Sequence, residues 1–401
     1  MKRRFSRLPP LSDFSVPAEL EIAGSLAGVP PDQWNALAGP NPLLSHGFLH
    51  ALHDSGAACA STGWTPRYLL LRREGRLAGA LPLYLKVHSY GEYVFDWAWA
   101  DAWQRAGQRY YPKLLSAVPF TPVTGSRLLA LAQEDRRLLA RAAVQLAGEL
   151  EVSSLHCLFP TGAEAALLED EGLMLRKSVQ FHWHNQGFQS FEQFLGQMNH
   201  DKRKKVKQER RRLREAGVHF TRAVGRDISE ADWHFFFRCY ETTYRQHHST
   251  PYLNLEFFLR IADAMPESLL LVTGWRDHLP LCAALDVFTP EALWGRYWGT
   301  TAFVPGLHFE ACYYQAIEFC IERGIGRFEG GAQGEHKLAR GLMPVTTLSA
   351  HWIADAQFRR AVRQFLARES AGVGHYVDEL REHTPFRHGE SQPGPGDAIA
   401  L

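Results

Sequence analysis

The chain has 401 residues, of which 45% are hydrophobic and 22% are charged, a balance that is ordinary for globular proteins. This length exceeds what a single hydrophobic core usually supports, so two domains are expected. The net charge of +1 excludes a uniformly basic surface, and any surface for nucleic acid or an anionic membrane must be local.

The six cysteines are scattered, without a CxxC pair or a zinc-like spacing. This distribution favours buried free thiols and a reducing compartment. The N-terminal segment lacks an apolar run long enough for a signal peptide, and no stretch approaches the ~20 apolar residues of a membrane span. The sequence therefore predicts a cytoplasmic protein without a transmembrane segment.

The first half predicts a lead-in followed by one domain. Residues 1–40 are rich in Pro, Gly and Ala and predict a loosely ordered lead-in. The first domain is expected over 41–178. It contains a helix over 41–52, a hairpin over 67–84, a helix over 135–150 and a buried strand over 154–159.

A second domain is expected over 179–385, before a disordered tail over 386–401 that is rich in Pro, Gly, Ser and Gln. It contains a basic helix over 199–216, helices over 232–245 and 255–265, a hairpin over 268–288 and a late helix from 358. Three features of the first half recur in the same order. Residues 279–285 echo 77–83, Tyr313-Tyr314 echo Tyr110-Tyr111, and 328–332 echo 155–159, which indicates a duplicated α/β unit.

The stretch 293–337 is the candidate active site. A strand over 293–300 contains Gly295 and Gly299, which allow a bulge or a close backbone approach. An amphipathic helix follows and stops at Gly324. Its apolar face consists of Phe309, Cys312, Tyr313, Ala316, Ile317, Cys320 and Ile321. A short strand then enters a glycine-rich polar turn, and open α/β sheets bind ligands at such strand ends.

Four segments of this half form a specific motif string: Trp298-Gly299, 307–317, 328–341 and 346–352. Together with the basic segment 202–214 and the Asn41-Pro-Leu-Leu-Ser segment, they closely resemble the FemAB-like predicted N-acyltransferases. That bacterial group is labelled for peptidoglycan biosynthesis or recognition. The resemblance covers nearly all of residues 40–370 and implies an α/β fold with mixed α+β sheets, a tandem pair of GNAT-like (acetyltransferase-fold) domains of the Fem type.

Acyl transfer to an amine needs a proton acceptor and hydrogen-bond donors for the developing oxyanion. The catalytic candidates are His336, Glu335 and His308, because histidine titrates near neutrality and a desolvated glutamate can be tuned upward. The candidates for substrate binding are Arg296, Tyr297, Trp298, Glu310, Glu329, Gln333, Lys337 and Arg340, together with Arg203 and Lys204 of the basic helix.

Several candidates have a structural alternative. His336 could cap a carbonyl group, Glu310 could compensate a helix dipole, and Arg296 could pack on neighbouring tryptophans. The histidines His182, His184, His247 and His248 show no ligand spacing, so no metal is expected. The basic helix could face an RNA acceptor stem, a nucleotide-linked substrate or an anionic membrane.

The leading hypothesis is an enzyme that transfers an acyl or aminoacyl group to an amine, with the substrate in a groove between the domains. The resemblance implies an aminoacyl-tRNA or acyl-CoA donor and a small-molecule or muropeptide-like amine as acceptor. The usual GNAT pyrophosphate loop is missing from 300–308, where only Gly306 fits, so aminoacyl-tRNA is favoured and no tightly bound cofactor is expected. The alternative is a catalytically silent protein that binds a peptidoglycan fragment or a nucleotide-sugar.

Overall fold

The structure, a computed structural model, describes residues 18–246, 248–332 and 334–387. The chain divides into two compact units. Of the described residues, one unit contains those up to Ser178 together with Thr347–Val373, and the other contains Val179–Thr346 and residues 374–387. The sequence also placed a boundary between 178 and 179. It did not predict that residues 347–373 belong to the first unit, because their place there depends on strand pairing between distant residues.

The first unit is built from short strands and five helices. Its strands are β1 (Ala18–Ala23), β2 (Trp64–Pro66), β3 (Tyr68–Arg73), β4 (Arg76–Leu81), β5 (Tyr84–Lys86), β6 (Lys113–Ser116), β7 (Leu129–Ala130) and β8 (Ser154–Leu158). Its helices are α1 (Pro31–Ala38), α2 (His46–Asp54), α3 (Trp97–Arg105), α4 (Gln133–Glu149) and α5 (Gly162–Asp170).

The second unit follows in the chain, and β9, β15 and α11 each run across a boundary between the units. Its strands are β9 (Met174–His184), β10 (His219–Val224), β11 (Leu269–Arg276), β12 (Leu279–Phe288), β13 (Ala292–Thr300), β14 (Arg327–Ala332) and β15 (Met343–Ile353). Its helices are α6 (Phe191–Gln197), α7 (His200–Glu215), α8 (Glu230–Gln246), α9 (Leu255–Ala264), α10 (residues 307–323) and α11 (Ala356–Glu382).

In the first unit, β1, β3, β4 and β7 form an antiparallel sheet in that order. Residues 18–38 were expected to be a loose lead-in, but they form β1 and α1. The reason is a long-range pairing, since β1 lies along β3 from Ala18↔Arg73 to Ala23↔Tyr68. Residues 1–17 and 388–401, where the remaining lead-in and most of the predicted tail fall, lie outside the described residues.

Each unit contains a strand, a helix and a second strand parallel to the first. In the first unit β6 pairs in parallel with β8 across α4, and in the second unit β13 pairs in parallel with β14 across α10. The other neighbours in the order β10-β11-β12-β13-β14-β9 are antiparallel. Mixed sheets are therefore confirmed. The tyrosine echo is not structural, because Tyr110 and Tyr111 precede β6 whereas Tyr313 and Tyr314 are helical.

Helix α10 carries most of the predicted apolar face and ends at Gly324, which has a left-handed φ of +68°. It differs from the prediction at one turn, because residues Glu310–Tyr314 form a π turn. A π turn adds one residue and shifts the helix phase, and such turns are frequent at functional sites. Phe309 and Cys312 are therefore only partly buried, whereas Glu310 and Tyr314 are buried.

The basic helix is separate from the helix before it. Asn199 caps α7 by accepting a hydrogen bond from the Lys202 backbone N–H at 3.0 Å. Val206 and Leu213 are buried, which confirms the predicted apolar seam. No helix among the described residues is long and apolar enough to cross a membrane.

One guanidinium ties α7 to α10. Arg210 donates from Nε to both Glu310 carboxylate oxygens at 3.1 Å and from Nη1 to Glu318 Oε1 at 2.7 Å. Its guanidinium also lies 4.7 Å from the centre of the Phe191 ring. We call these contacts the Arg210 clamp. Because Glu310 is buried, its charge depends on this partner.

We predict that Arg210→Met lowers the free energy of unfolding by roughly 3 kcal/mol, because it leaves a buried carboxylate without its cation. Lys207→Met on the same helix is the control, since the Lys207–Glu192 pair is exposed and should contribute less than about 1 kcal/mol. Denaturant unfolding measures both. Adding Glu310→Gln should recover part of the loss in Arg210→Met, and equal losses in the two single variants would contradict the clamp.

Candidate active site

A cavity of about 210 Å³ lies beside an irregularity between β12 and β13. Leu285 pairs with Tyr297 and Asp286 pairs with Gly295, so Arg296 is the extra residue of a one-residue bulge. A bulge bends the strand and redirects its side chains. The bulge that Gly295 allowed in the sequence is therefore confirmed.

The cavity gathers side chains from β12, β13, α10, β14 and the turn after β14. Its lining residues are Ala284, Asp286, Gly295, Arg296, Tyr297, Trp298, His308, Cys312, Tyr313, Phe328, Gly330 and Lys337. Five of the residues predicted for the site lie together here: Arg296, Tyr297, Trp298, His308 and Lys337. Gln333 lies outside the described residues.

Glycine and aromatic packing fix the β13 wall of this cavity. A Cβ atom built on Gly299 would lie 2.0 Å from the carbonyl oxygen of Cys239 on α8, which confirms the predicted close backbone approach. The Tyr297 ring packs 5.8 Å from Tyr240 and 5.6 Å from Phe258. The helices behind the sheet therefore hold β13 in place.

His308 is a neutral histidine in the cavity wall. Its ring lies 4.9 Å from Trp298 and 5.4 Å from Tyr313, both in edge-to-face contacts. Burial, with smaller contributions from the neighbouring His336 and Lys337, lowers the pKa of His308 to about 4. The imidazole is therefore uncharged near pH 7 and has a nitrogen lone pair available for a proton.

His336 is exposed and reaches the cavity through a tyrosine. Its Nε2 lies 3.1 Å from the Tyr313 hydroxyl oxygen, and the Tyr313 ring lines the cavity. Partial burial lowers the pKa of His336, with the Lys337 charge as a second cause. His336 is thus placed between solvent and Tyr313.

Lys337 is the buried cation of the turn after β14. Its Nζ donates to the Gly331 carbonyl oxygen at 3.2 Å, and Gly331 has a left-handed φ of +79°. Burial, with a smaller contribution from the Arg296 charge, lowers the pKa of Lys337 to about 8. This ammonium is charged near neutrality, and it can lose its proton more easily than an exposed lysine.

The other predicted residues of this region lie outside the cavity lining. Glu335 is exposed and accepts a hydrogen bond from the Tyr376 hydroxyl at 2.7 Å. Glu310 belongs to the Arg210 clamp. Arg340 donates to Glu209 at 2.9 Å and to the His336 carbonyl oxygen at 2.8 Å. These contacts give all three side chains partners within the protein.

Glu329 is buried on β14 next to other charged groups. Its carboxylate lies 3.0 Å from Arg327 Nε and 4.0 Å from His182 Nε2. Burial raises the pKa of Glu329, and the Arg327 charge opposes that effect. No group of three or more His, Cys, Asp or Glu residues in the described part of the chain could hold a metal ion.

Asp286 is a site residue that the sequence prediction missed. It lines the cavity and is 2% exposed, and its Oδ2 has no hydrogen-bond partner among the described residues. Burial raises its pKa from 3.8 to about 8, against a smaller lowering by Arg296. The signal in the sequence was one carboxylate in the otherwise apolar strand Leu-Pro-Leu-Cys-Ala-Ala-Leu-Asp-Val-Phe.

A second and larger depression of about 600 Å³ runs along α7. Its lining residues are Glu192, Leu195, His200, Arg203, Lys204, Lys207, Gln208, Arg210, Arg211 and Arg214. We call it the basic groove. It contains both residues predicted on the basic helix, Arg203 and Lys204, and Glu192 is the one acid among the described residues that line it.

The raised pKa of Asp286 predicts that the free energy of unfolding depends on pH. A carboxyl group that binds its proton more tightly when folded destabilises the folded state increasingly as the pH rises from about 4 to about 8. Asp286→Asn removes this effect. As the pH rises over that range, the parent should therefore lose unfolding free energy relative to the variant. We expect a shift of more than about 1 kcal/mol between pH 4 and 7.5.

Unfolding of Asp286→Asn and parent across this pH range measures that shift. Asp263→Asn, an exposed change on α9, should show no such trend. A difference for Asp286→Asn that stays constant with pH would show that the carboxyl group titrates normally.

Comparisons with known proteins identify the family and the fold. The FemAB-like family, described by peptidoglycan biosynthesis and recognition, matches residues 25–388. No curated protein matches the chain. The solved structures that are similar include FemX, at 11% identity over 84% of this chain and 98% of that chain with a TM-score of 0.52. They also include L-PGS from Bacillus licheniformis, at 10% identity over 85% of this chain and 96% of that chain with a TM-score of 0.52.

At such identities the two structures show the fold alone, and they confirm the predicted Fem-type α/β fold with mixed sheets. The family match covers most of the chain, including the bulge, α10 and the turn after β14. The chain therefore belongs to the FemAB-like family of peptidoglycan biosynthesis and recognition.

Proposed function

We propose that the protein transfers an acyl or aminoacyl group to an amine of a peptidoglycan precursor, with the chemistry in the cavity beside the β13 bulge. The observation that carries this proposal is the convergence of His308, Lys337 and Arg296 on one small cavity. Family membership supports the class of acceptor, and the similarity to FemX and L-PGS supports a fold suited to this chemistry.

The residues divide the requirements of acyl transfer among them. Neutral His308 accepts the proton that the attacking amine must lose, because its lone pair is available near pH 7. The Lys337 ammonium is buried, and it stabilises the negative charge that develops on the carbonyl oxygen. As the new C–N bond forms, the bond from the carbonyl carbon to the carrier oxygen or sulfur breaks. The His336–Tyr313 pair connects the cavity with solvent and supplies the proton that this leaving group takes.

The size of the cavity limits what enters it. About 210 Å³ holds an amino-acid-sized group, so the carrier of the acyl group must lie outside. The basic groove supplies a surface for a phosphate-rich carrier, and its cations favour aminoacyl-tRNA as donor over acyl-CoA. An anionic membrane surface is the other partner that such a groove fits, and the cytoplasmic location stays a prediction of the sequence.

Removing the proton acceptor or the buried cation should abolish turnover. We expect His308→Gln and Lys337→Met each to lower kcat by about 100-fold or more, the usual contribution of a positioned acid–base or oxyanion group. Glu335→Gln should leave kcat within about threefold, because Glu335 is exposed and contacts Tyr376 rather than the cavity.

The assay follows transfer of a radiolabelled acyl group to a lysine-containing muropeptide, with aminoacyl-tRNA and acetyl-CoA as alternative donors. Circular dichroism confirms that each variant is folded. A parent protein that binds the muropeptide and transfers neither group would support the catalytically silent binding protein instead.

The groove makes a separate prediction for the donor. The triple variant Arg203→Gln, Lys204→Gln and Arg214→Gln removes three groove cations and should weaken tRNA binding. It should also reduce the slope of log Kd against log salt by about 2, since each lost phosphate contact lowers it by ~0.7. The charge-matched control is Lys202→Gln, Lys205→Gln and Arg212→Gln, whose residues lie on α7 outside the groove lining.

Fluorescence anisotropy of labelled tRNA at several salt concentrations measures both triple variants. Equal slopes for the two would mean that the groove is not the contact surface. If the groove triple variant keeps tRNA binding but loses binding to anionic vesicles, the groove would be assigned to a membrane surface.

A further inference from the structure

One charged group in the cavity has no role in the transfer chemistry proposed above. Asp286 is the sole acid among the described residues that line the cavity, and it is almost fully enclosed. The ideal Cβ position of Gly295 on the next strand lies 3.5 Å from its Oδ1, so the bulge covers one side of the carboxylate. The other oxygen, Oδ2, has no hydrogen-bond partner in the described part of the chain.

Such an oxygen is uncommon in a folded protein. Buried polar groups are nearly always hydrogen-bonded, and an exception needs an explanation such as a ligand or a catalytic role. The nearest explanation within the protein is the Arg296 charge, but burial still raises the pKa of Asp286 to about 8 against that charge. Arg296 therefore does not neutralise the effect of burial.

A buried carboxylate elsewhere in the chain shows the effect of a cationic partner on one of its oxygens. In the first unit Asp96 receives hydrogen bonds from Lys113 Nζ and the Tyr110 hydroxyl, both at 2.5 Å. Those contacts, chiefly the Lys113 charge, lower the pKa of Asp96 although the group is equally buried. An ammonium at hydrogen-bond distance is thus the kind of partner that Asp286 lacks.

We propose that Asp286 receives the free ammonium of the substrate group that enters the cavity, and so selects amine-bearing groups over uncharged acyl groups. This inference rests on the proposed transfer function and specifies its substrate. An ammonium supplies the missing donor and the missing positive charge together. A cavity of about 210 Å³ allows an amino-acid-sized group around that ammonium.

Two parts of the reaction could supply this ammonium. One is the α-ammonium of an aminoacyl donor, and the other is the side-chain amine of the acceptor. Both present the same charge and the same three N–H donors to Asp286. Small probes that carry one of the two amines separate them.

The test measures probe binding by titration calorimetry on the full chain. L-alaninamide carries an α-ammonium, Nα-acetyl-L-lysinamide carries a side-chain ammonium, and N-acetyl-L-alaninamide carries neither. We expect the parent to bind one of the charged probes at least tenfold more tightly than the uncharged probe. Asp286→Asn should remove that preference, whereas Asp263→Asn should keep it.

The identity of the preferred probe assigns the ammonium to the donor or to the acceptor. A parent protein without preference for either charged probe would overturn the proposal, as would an Asp286→Asn variant that keeps the preference. The readout is independent of turnover. An ammonium preference in a protein that transfers no group would therefore leave this assignment standing while the transferase proposal fails.

Discussion

The second unit depends on one constraint, which is that the charges buried beneath the basic helix must be matched. The Arg210 clamp matches two carboxylates of α10 with one guanidinium. The preceding residue, Glu209, accepts hydrogen bonds from Arg340 and from the Tyr314 hydroxyl. These contacts join α7, α10 and the turn that carries Lys337, so the positions of the cavity residues follow from ion pairing as well as from apolar packing.

This arrangement gives the basic residues of α7 two different roles. Arg210 also lines the basic groove, but its guanidinium is paired with Glu310 and Glu318 of α10, whereas Arg203, Lys204 and Arg214 of the groove remain available to a ligand. A count of charges along the sequence does not separate these roles. Arg210 differs from the other cations because it pairs with carboxylates of α10 that lie about a hundred residues later in the chain. It is therefore not available to bind a polyanion.

Local patterns in the sequence predicted local structure well. The alternation and turn residues were sufficient to predict the two hairpins. The apolar periodicity and Gly324 were sufficient to predict α10 and its end. Each of these patterns depends on neighbours within a few residues. The same holds for the glycines of β13, since only glycine allows the approach of that strand to Cys239. The lead-in failed as a prediction because β1 is defined by its pairing with β3.

The sequence indicated several residues of the candidate site but not their contacts. Arg296, His308 and Lys337, all named as candidates, line one cavity. Glu335 and His336 were both catalytic candidates, but Glu335 contacts Tyr376 while His336 contacts Tyr313. Asp286 escaped notice because a single acid in an apolar strand belongs to no motif, and its significance appears only once the cavity around it is known.

The π turn of α10 determines how the first turn of this helix is rotated relative to the rest. A chain shorter by one residue between Glu310 and Tyr314 would form an uninterrupted α-helix with better hydrogen-bond geometry. Its first turn would then be rotated by about 100° relative to the rest, which would carry His308 away from Trp298. The extra residue of the π turn therefore sets the direction in which the His308 imidazole faces.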